Sequence, residues 1–346
     1  MPKLRVAVIQ GGPSPEREVS LRSAQMVLKN LDPAKYEAFA VDLSDLLGDS
    51  EALAGLKARA DFAFLAVHGA PGEDGTVQGM LDLLGIPYQG SGVMASALAM
   101  NKIRSKAVYR DLGLPQARGM DFHAVGDGLW RCGLSPLFGA ERPVLTTEQV
   151  AELVGQTLGW SLVLKGASQG STLGLSVVST REAFAPAMAQ VLAYDPEVLI
   201  EERLSGLEVT AGVMGGREVT GLPLVEIRPK GGDLFDYEAK YAVGGSEEIC
   251  PARLDEAITQ RIQALAIKAH HGLGCWGYSR SDFIIDGGEA YILETNTLPG
   301  LTEASLLPKA VRATGVMLPD MLDQLILWGL ERAMGKPSAS GAPSAR

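Results

Sequence analysis

What the chain has little of narrows it first. Three cysteines, Cys132, Cys250 and Cys275, lie far apart without CxxC spacing, so neither a disulfide framework nor a zinc site is indicated, and they read as core thiols. No apolar run approaches the roughly 20 residues that a membrane-spanning helix needs. The start, MPKLRVAVIQGG, enters a strand pattern directly, without the layout of a signal peptide. We therefore expect a cytoplasmic protein with no membrane partner. Positive charge is scarce too: 31 Lys and Arg against 41 Asp and Glu give a formal charge of -10, with no basic run, which argues against nucleic acid as a partner. No GxGxxG follows the early strands and no GxxxxGK[ST] occurs, so neither a dinucleotide fingerprint nor a Walker loop is supported. A nucleotide would have to be met by cations gathered locally.

What is present reads as alternating strands and helices, enough at 346 residues for two or three domains or one large α/β unit with a lid. Leu4 to Ile9 is an apolar run suited to a central parallel strand, followed by Gly11-Gly12-Pro13-Ser14 and the helical pattern SAQMVLKNL. Glu16 and Glu18 fall near that helix start, where backbone NH groups favour a carboxylate, and Glu16 has this plain reading open to it. A strand over Tyr36 to Val41, a helix over Ser50 to Ala60 and a buried strand over Asp61 to Val67 follow. That strand ends in His68, at the sheet edge where open α/β folds bind ligands, although a lone histidine is more often structural. A glycine-rich loop and a helix over Thr76 to Leu84 complete a first domain near residue 90.

Val93 to Leu112 reads as one or two helices, with Lys102, Arg104 and Lys106 as a compact cationic group, either solvated or in contact with phosphate. Residues 113 to 142 are rich in Gly and Pro and read as an irregular linker or insertion. After a helix over Thr147 to Leu158, a strand ends in Lys165 and gives way to the small-residue loop GASQGSTLGLSVV. Such a loop offers NH and OH donors to a triphosphate, or is an ordinary hairpin turn. Thr180 to Ala193 reads as a helix. VLIEERLSGLEVTAGVM then reads as two strands around Glu201, Glu202 and a short linker, whose bare backbone groups suit the edge of an adenine, with Glu201 and Glu208 able to take an amino group and a ribose hydroxyl. Residues 230 to 245, with Tyr237, Lys240 and Tyr241, have the character of a lid. Helices are expected over Leu254 to Leu273 and Leu318 to Met334, before a tail from Gly335 that composition marks as disordered.

The stretch YSRSDFIIDGGEAYILETNTLPGLTEAS, from Tyr278 to Ser305, breaks two apolar strands with charge at alternate positions around Gly287-Gly288. Residues two apart share a strand face, so a hairpin brings Asp282, Glu294 and Asn296 to one spot. Two carboxylates and an amide oxygen form a hard-oxygen set that Mg²⁺ accepts when phosphates and water complete its shell. An exposed edge with solvated charges is the other reading of the same spacing.

The order GGPSPEREVSLRSA, HGAPGEDGTVQGML, GSTLGLS, VLIEE, DYEAKY, RSDF and ETNTLPGLT resembles the D-alanine:D-alanine ligases of the ATP-grasp superfamily, over about Leu4 to Ala333. The resemblance implies an α/β fold, α+β in its ATP-grasp part, in three domains: an N-terminal open parallel sheet domain over 1–92, a central ATP-grasp subdomain over 93–200 and a C-terminal one over 201–334. It implies ATP and Mg²⁺, in two ions with Mn²⁺ as an alternative, a homodimer, and ligation through an acyl phosphate for peptidoglycan synthesis. It makes Asp282, Glu294 and Asn296 metal ligands, Lys102, Lys165 and Lys240 phosphate ligands, and puts Glu201, Leu204 and Glu208 around adenine and ribose. Arg280 and the Gly300 amide would stabilise developing charge. Glu16, with Val19 and His68, would hold the first D-alanine, oriented by Ser171 and Tyr241, while Ser305 and Leu306 would meet the carboxylate of the second. DYEAKY favours an amine as second substrate over the D-lactate of vancomycin-resistance ligases. Four departures stand out: Gly166 where proline is common, Phe235 for a lid tyrosine, Arg17 for histidine, and the carboxylate of Glu303 near Ser305.

Overall fold

The run Leu4–Gln10 forms β1, the centre of a parallel sheet whose strand order is β2-β1-β3, with β2 at Tyr36–Asp42 and β3 at Phe62–Leu65. The structure is a computed structural model that describes residues 2–136, 142–168, 174–229 and 246–335. Val6, Ala7, Val8 and Ile9 are all buried because helices cover both faces, which is why the strand reads as an unbroken apolar run rather than an alternation. Helices α1 (Arg17–Asn30), α2 (Leu43–Leu46) and α3 (Ser50–Arg59) connect the strands, and α4 (Thr76–Leu84) follows β3. Asp49 caps α3 by accepting from the amides of Glu51 and Ala52, and α4 stops at Gly85 with φ of 64°.

Val93 to Leu112 is two helices, α5 (Val93–Met100) and α6 (Lys102–Asp111), turned at Asn101, which accepts from the Arg104 amide. The irregular linker expected over 113–142 is corrected: β4 (Gly119–Gly126) and β5 (Leu129–Cys132) form a hairpin there. Its two-residue turn, Asp127 and Gly128, has positive φ at both positions. Met120, Phe122, Trp130 and Cys132 alternate into a core, a period of two that the surrounding Gly and Pro obscure in the sequence. With β6 (Val144–Thr146), β7 (Leu162–Gly166), β8 (Ser176–Val178) and β9 (Glu197–Glu202) they make an antiparallel sheet in the order β6-β5-β4-β9-β7-β8, packed against α7 (Thr147–Thr157) and α8 (Phe184–Leu192). Helix α8 begins later than the expected Thr180, which puts Pro186 in its first turn, where a missing NH costs nothing.

A second antiparallel sheet has the order β13-β12-β10-β14-β15, with β11 also on β10. Its strands are β10 (Leu207–Gly215), β11 (Val219–Gly221), β12 (Val225–Pro229), β13 (Ser246–Ile249), β14 (Gly277–Asp286) and β15 (Glu289–Asn296). Helix α9 (Glu256–Leu273) covers one face, and α5 and α6 share that core through Ala95, Ala99 and Tyr109. The chain then forms α10 (Leu306–Arg312) and α11 (Leu318–Met334), which return to the parallel sheet. Leu322, Leu325 and Ile326 share a core with Val8 and Phe64, and Asp323 takes Lys35 at 3.0 Å and the Tyr36 hydroxyl.

Gly329 marks how closely α11 sits: a Cβ there would lie 2.6 Å from the Tyr88 carbonyl oxygen and 2.7 Å from the Phe62 ring. Alanine in a helix interior ordinarily gains about 1 kcal/mol over glycine, whereas overpacking costs about 1–3 kcal/mol. The clash is with backbone, so Gly329→Ala should lower the denaturant midpoint at unchanged slope. An unchanged or raised midpoint would show that the contact yields.

Candidate active site

The β14–β15 hairpin brings its polar residues together by register. Arg280 stands opposite Asn296 and Asp282 opposite Glu294, all on one face. Just past Asp282 the register shifts, Phe283 pairing with Ile292, so Leu293 is extra and the bulge turns the strand beside the acids. Asp282 grips the guanidinium with two bonds of 2.9 Å. Burial works against the charge of Arg280, but Asp282, Glu294 and Glu73 hold its pKa above the usual arginine value, so it is a fixed cation. Asn296 is oriented by the Leu298 amide, which donates to Oδ1 at 2.7 Å. Beneath, the Tyr109 hydroxyl donates to Thr295 Oγ1 at 2.8 Å, and Ser281 meets the same atom at 2.8 Å, locking the buried face of both strands to α6.

Helix α6 lies between the two antiparallel sheets, and this decides the fate of its lysines. Lys102 and Lys106 are both buried, so the solvated reading does not hold for them, while Arg104 stays exposed near Glu197. Lys102 Nζ is 3.2 Å from Glu294 Oε2 on one side. Lys106 Nζ is 2.6 Å from Glu201 Oε1 on the other and 3.4 Å from the Ile292 carbonyl. Lys165, at the end of β7, reaches the second oxygen of Glu201 at 2.7 Å. Burial would protonate Glu201, but Lys106 and Lys165 hold its pKa below the ordinary carboxylate value. Glu294 is likewise desolvated, and Lys102, Lys165 and Arg280 pull it down to about 2. From Glu201 and Glu202 the chain crosses between the sheets through Leu204 to the buried Glu208 of β10.

The parallel-sheet unit supplies the third wall. His68, just past the carboxyl end of β3, is buried and shares a 2.9 Å hydrogen bond with Ser23. A Cβ on Gly300 would lie 2.8 Å from Ser305 Oγ and 3.9 Å from the His68 ring, so these three residues converge from opposite ends of the chain. Glu16 is the N-cap of α1, Val19 lies one turn on, and a Cβ on Gly69 would come within 3.9 Å of Glu16 Oε1. Ser305 stands at the N-cap position of α10 without a side-chain bond to the helix, its hydroxyl instead meeting Thr302 Oγ1 at 2.8 Å, with Leu306 opening the helix. Of the departures, Arg17 clamps Asp42 with bonds of 3.1 and 2.6 Å, Gly166 ends β7, and Glu303 is exposed, its carbonyl accepting from Arg312. Ser171, Lys240 and Tyr241, with Phe235 and Tyr237, lie outside the described residues.

Glu73 is a site residue that our sequence reading misses. It is buried, accepts from the Gly69 amide at 2.7 Å, and faces Glu16, Arg280 and Asn296. Burial pushes its pKa up to about 7, the nearby Glu16 adding to the effect. With Lys102, Glu294 and Asn296 it lines a cavity of about 40 Å³. The available signal was the first acid of HGAPGEDG, whose glycines disguise it as loop composition.

Among the described residues no cluster of three or more His, Cys, Asp or Glu is built to hold a metal by itself. Asp282, Glu294 and Asn296 give two carboxylates and an amide oxygen, an incomplete hard-oxygen set that fits Mg²⁺ if phosphate oxygens and water fill the remaining positions.

Two antiparallel sheets face each other across lysines, carboxylates and a fixed arginine, an arrangement suited to a polyphosphate and its cation. The sequence matches the family descriptions "D-ala D-ala ligase N-terminus" over residues 5–54 and 47–91 and "D-ala D-ala ligase C-terminus" over 136–327. It is 45% identical over 334 residues to the D-alanine--D-alanine ligase of Syntrophobacter fumaroxidans, covering 95% of this chain and 98% of that one. The fold matches the D-alanine--D-alanine ligase of Bacillus anthracis complexed with ATP, with a TM-score of 0.78, 30% identity and coverage of 96% and 99%. It also matches the VanG D-Ala:D-Ser ligase of Enterococcus faecalis, with a TM-score of 0.77, 27% identity and coverage of 95% and 100%. The chain belongs to the D-alanine–D-alanine ligase family.

Burial and Arg280 lower the His68 pKa to about 4 from 6.5. The folded state therefore binds fewer protons at His68 than the unfolded state between those values, and stability falls as pH drops through the window. Relative to His68→Gln, the wild type should lose up to about 3 kcal/mol between pH 6.5 and 4, measured by denaturation at each pH. Parallel stability curves for the two proteins would contradict the neutral, buried His68.

Proposed function

We infer that this chain is an ATP-dependent, ADP-forming ligase that joins two D-alanine molecules into D-alanyl-D-alanine for peptidoglycan precursor synthesis. The observation that carries the reading is the convergence of Lys102, Lys165, Arg280 and the Asp282, Glu294, Asn296 set between the two sheets. A few cations gathered there can meet a triphosphate in a protein that is acidic overall.

In the proposed sequence a carboxylate oxygen of the first D-alanine attacks the γ-phosphorus, the bond to the β-phosphate oxygen breaks, and ADP leaves. The amine of the second D-alanine then adds to the carbonyl of the acyl phosphate, loses a proton, and phosphate departs as the amide forms. Lys102 and Lys165, with Lys240, neutralise the phosphates, and Glu201, Leu204 and Glu208 seat the base and ribose. Mg²⁺ held by Asp282, Glu294 and Asn296, in two ions with Mn²⁺ as an alternative, would supply charge neutralisation at the phosphate oxygens. Glu16 receives the first ammonium, with Val19 and His68 beside it and Ser171 and Tyr241 orienting it. Ser305 and Leu306 take the second carboxylate. Arg280 and the Gly300 amide stabilise charge on the acyl phosphate and the tetrahedral oxyanion, and positioning accounts for most of the rest.

We place the enzyme in the cytoplasm as a homodimer; no described helix is long and apolar enough to cross a membrane. The division into 1–92, 93–200 and 201–334 is proposed as the order in which the three sheets follow the chain, with 230–245 as the lid. A second reading, a D-serine or D-lactate acceptor, is favoured by the fold's likeness to the VanG ligase and by Glu303 near the acceptor end.

With ATP, Mg²⁺ and millimolar D-alanine, phosphate release should be D-alanine-dependent and equal to dipeptide formed, and Arg280→Met should cut kcat by about 10²–10³. No D-alanine-dependent release would sink the ligase reading. Mass spectrometry of products from equimolar D-alanine, D-serine and D-lactate should find mainly D-alanyl-D-alanine; a dominant mixed product would establish the second reading instead.

A further inference from the structure

Lys106 has no part in the proposed function, and it falls in residues 92–135, between the segments that match the family descriptions. It is nevertheless among the most enclosed charges of the site, its side chain 7% exposed against 4% for its partner Glu201. We propose that Lys106 is a positioning residue that holds Glu201 in place for the 6-amino group of the purine, and so sets the preference for adenine. This rests on the reading that ATP lies between the sheets.

Glu201 has one lysine on each oxygen, Lys106 on Oε1 and Lys165 on Oε2. The two lysines are not equivalent. Lys165 sits at the end of a strand, beside the small-residue loop, and is the one assigned to phosphate. When it turns to a phosphate, Oε2 is released as an acceptor and Glu201 keeps a single tether. Lys106 has a further hold: its ammonium also donates to the Ile292 carbonyl at 3.4 Å. Its helix is fastened to the central sheet through the Lys102 amide on Ala167 O at 2.7 Å and through Asn101 on Ser168 and Glu197 at 3.2 and 3.0 Å.

The tether matters because Glu201 has somewhere else to go. The pair borders a cavity of about 450 Å³, lined by Lys106 and Glu201 themselves with Ile103, Gln116, Leu134 and Leu199. Without the lysine, the carboxylate can swing into that space and away from the base. A carboxylate held in place accepts and does not donate. It matches a 6-amino group, gains nothing from a purine with hydrogen at position 6, and opposes a 6-oxo group. Lys106 thus acts on base choice without touching the nucleotide.

The test is calorimetric binding to the full chain with Mg²⁺ and no D-alanine, comparing ATP with purine riboside triphosphate, which lacks only the 6-amino group. Wild type should favour ATP by at least about tenfold, the scale of one hydrogen bond to a charged acceptor. Lys106→Met should shrink that ratio to about twofold or less, and Lys106→Arg, which keeps the charge, should recover most of it. A merely structural role would weaken both nucleotides by one factor; an unchanged ratio in Lys106→Met overturns the proposal, as does a wild type that does not discriminate. If Lys106→Met does not fold, Lys106→Gln is read by the same two outcomes. Discrimination in a protein with no D-alanine-dependent phosphate release would refute the ligase reading and leave this proposal standing.

Discussion

Two lysines one turn apart on α6 bridge the two antiparallel sheets of the described residues. Lys102 answers Glu294 on the β14–β15 hairpin and Lys106 answers Glu201 on β9. Residues four apart share a helix face, so α6 can present both ammonium groups to the cleft it divides. Burying such pairs is costly, and replacing them with apolar residues is often neutral or stabilising. Their value here is geometric: they set where charge stands before any substrate arrives, which is the condition for electrostatic catalysis.

The parallel-sheet unit closes the same space from a third side. Its strand β3 delivers His68 and Gly69, and the loop beyond delivers Glu73 against Asn296 and Arg280. Helix α11, the last of the described helices, shares a core with that sheet and also packs against β14, so it ties the first unit to the unit that carries the acids. The tight contact of Gly329 with Tyr88 and Phe62 belongs to that tie. Glu16, His68 and Glu73 from the early part of the chain and Arg280, Gly300 and Ser305 from its later part thereby share one wall.

Much of this was legible in the residues. The hairpin was readable because alternation of charge with apolar residues around Gly287-Gly288 specifies both register and face, and Arg280, Asp282, Glu294 and Asn296 meet accordingly. Helix α11 was readable to its ends from periodicity. Less was visible where local composition and tertiary setting disagree. The strands β4 and β5 hide in a Gly- and Pro-rich stretch because their pairing, not their propensity, makes them strands. Lys102 and Lys106 read first as solvated charges, because nothing within one helix tells that sheets will cover it on two sides. Glu73 escaped for the same reason: a carboxylate inside a glycine loop gives no sign that it will be fully buried.

We propose that α6 pre-sets the charges between the sheets and that Lys165 is the cation that moves. A crystal structure of the full chain with Mg²⁺ and a non-hydrolysable ATP analogue measures this directly. Lys165 Nζ should leave Glu201 for a phosphate oxygen, separating from the carboxylate by more than roughly 4 Å, while Lys106 stays paired with Glu201. A nucleotide bound elsewhere, with the Lys165 to Glu201 pair intact, would contradict it.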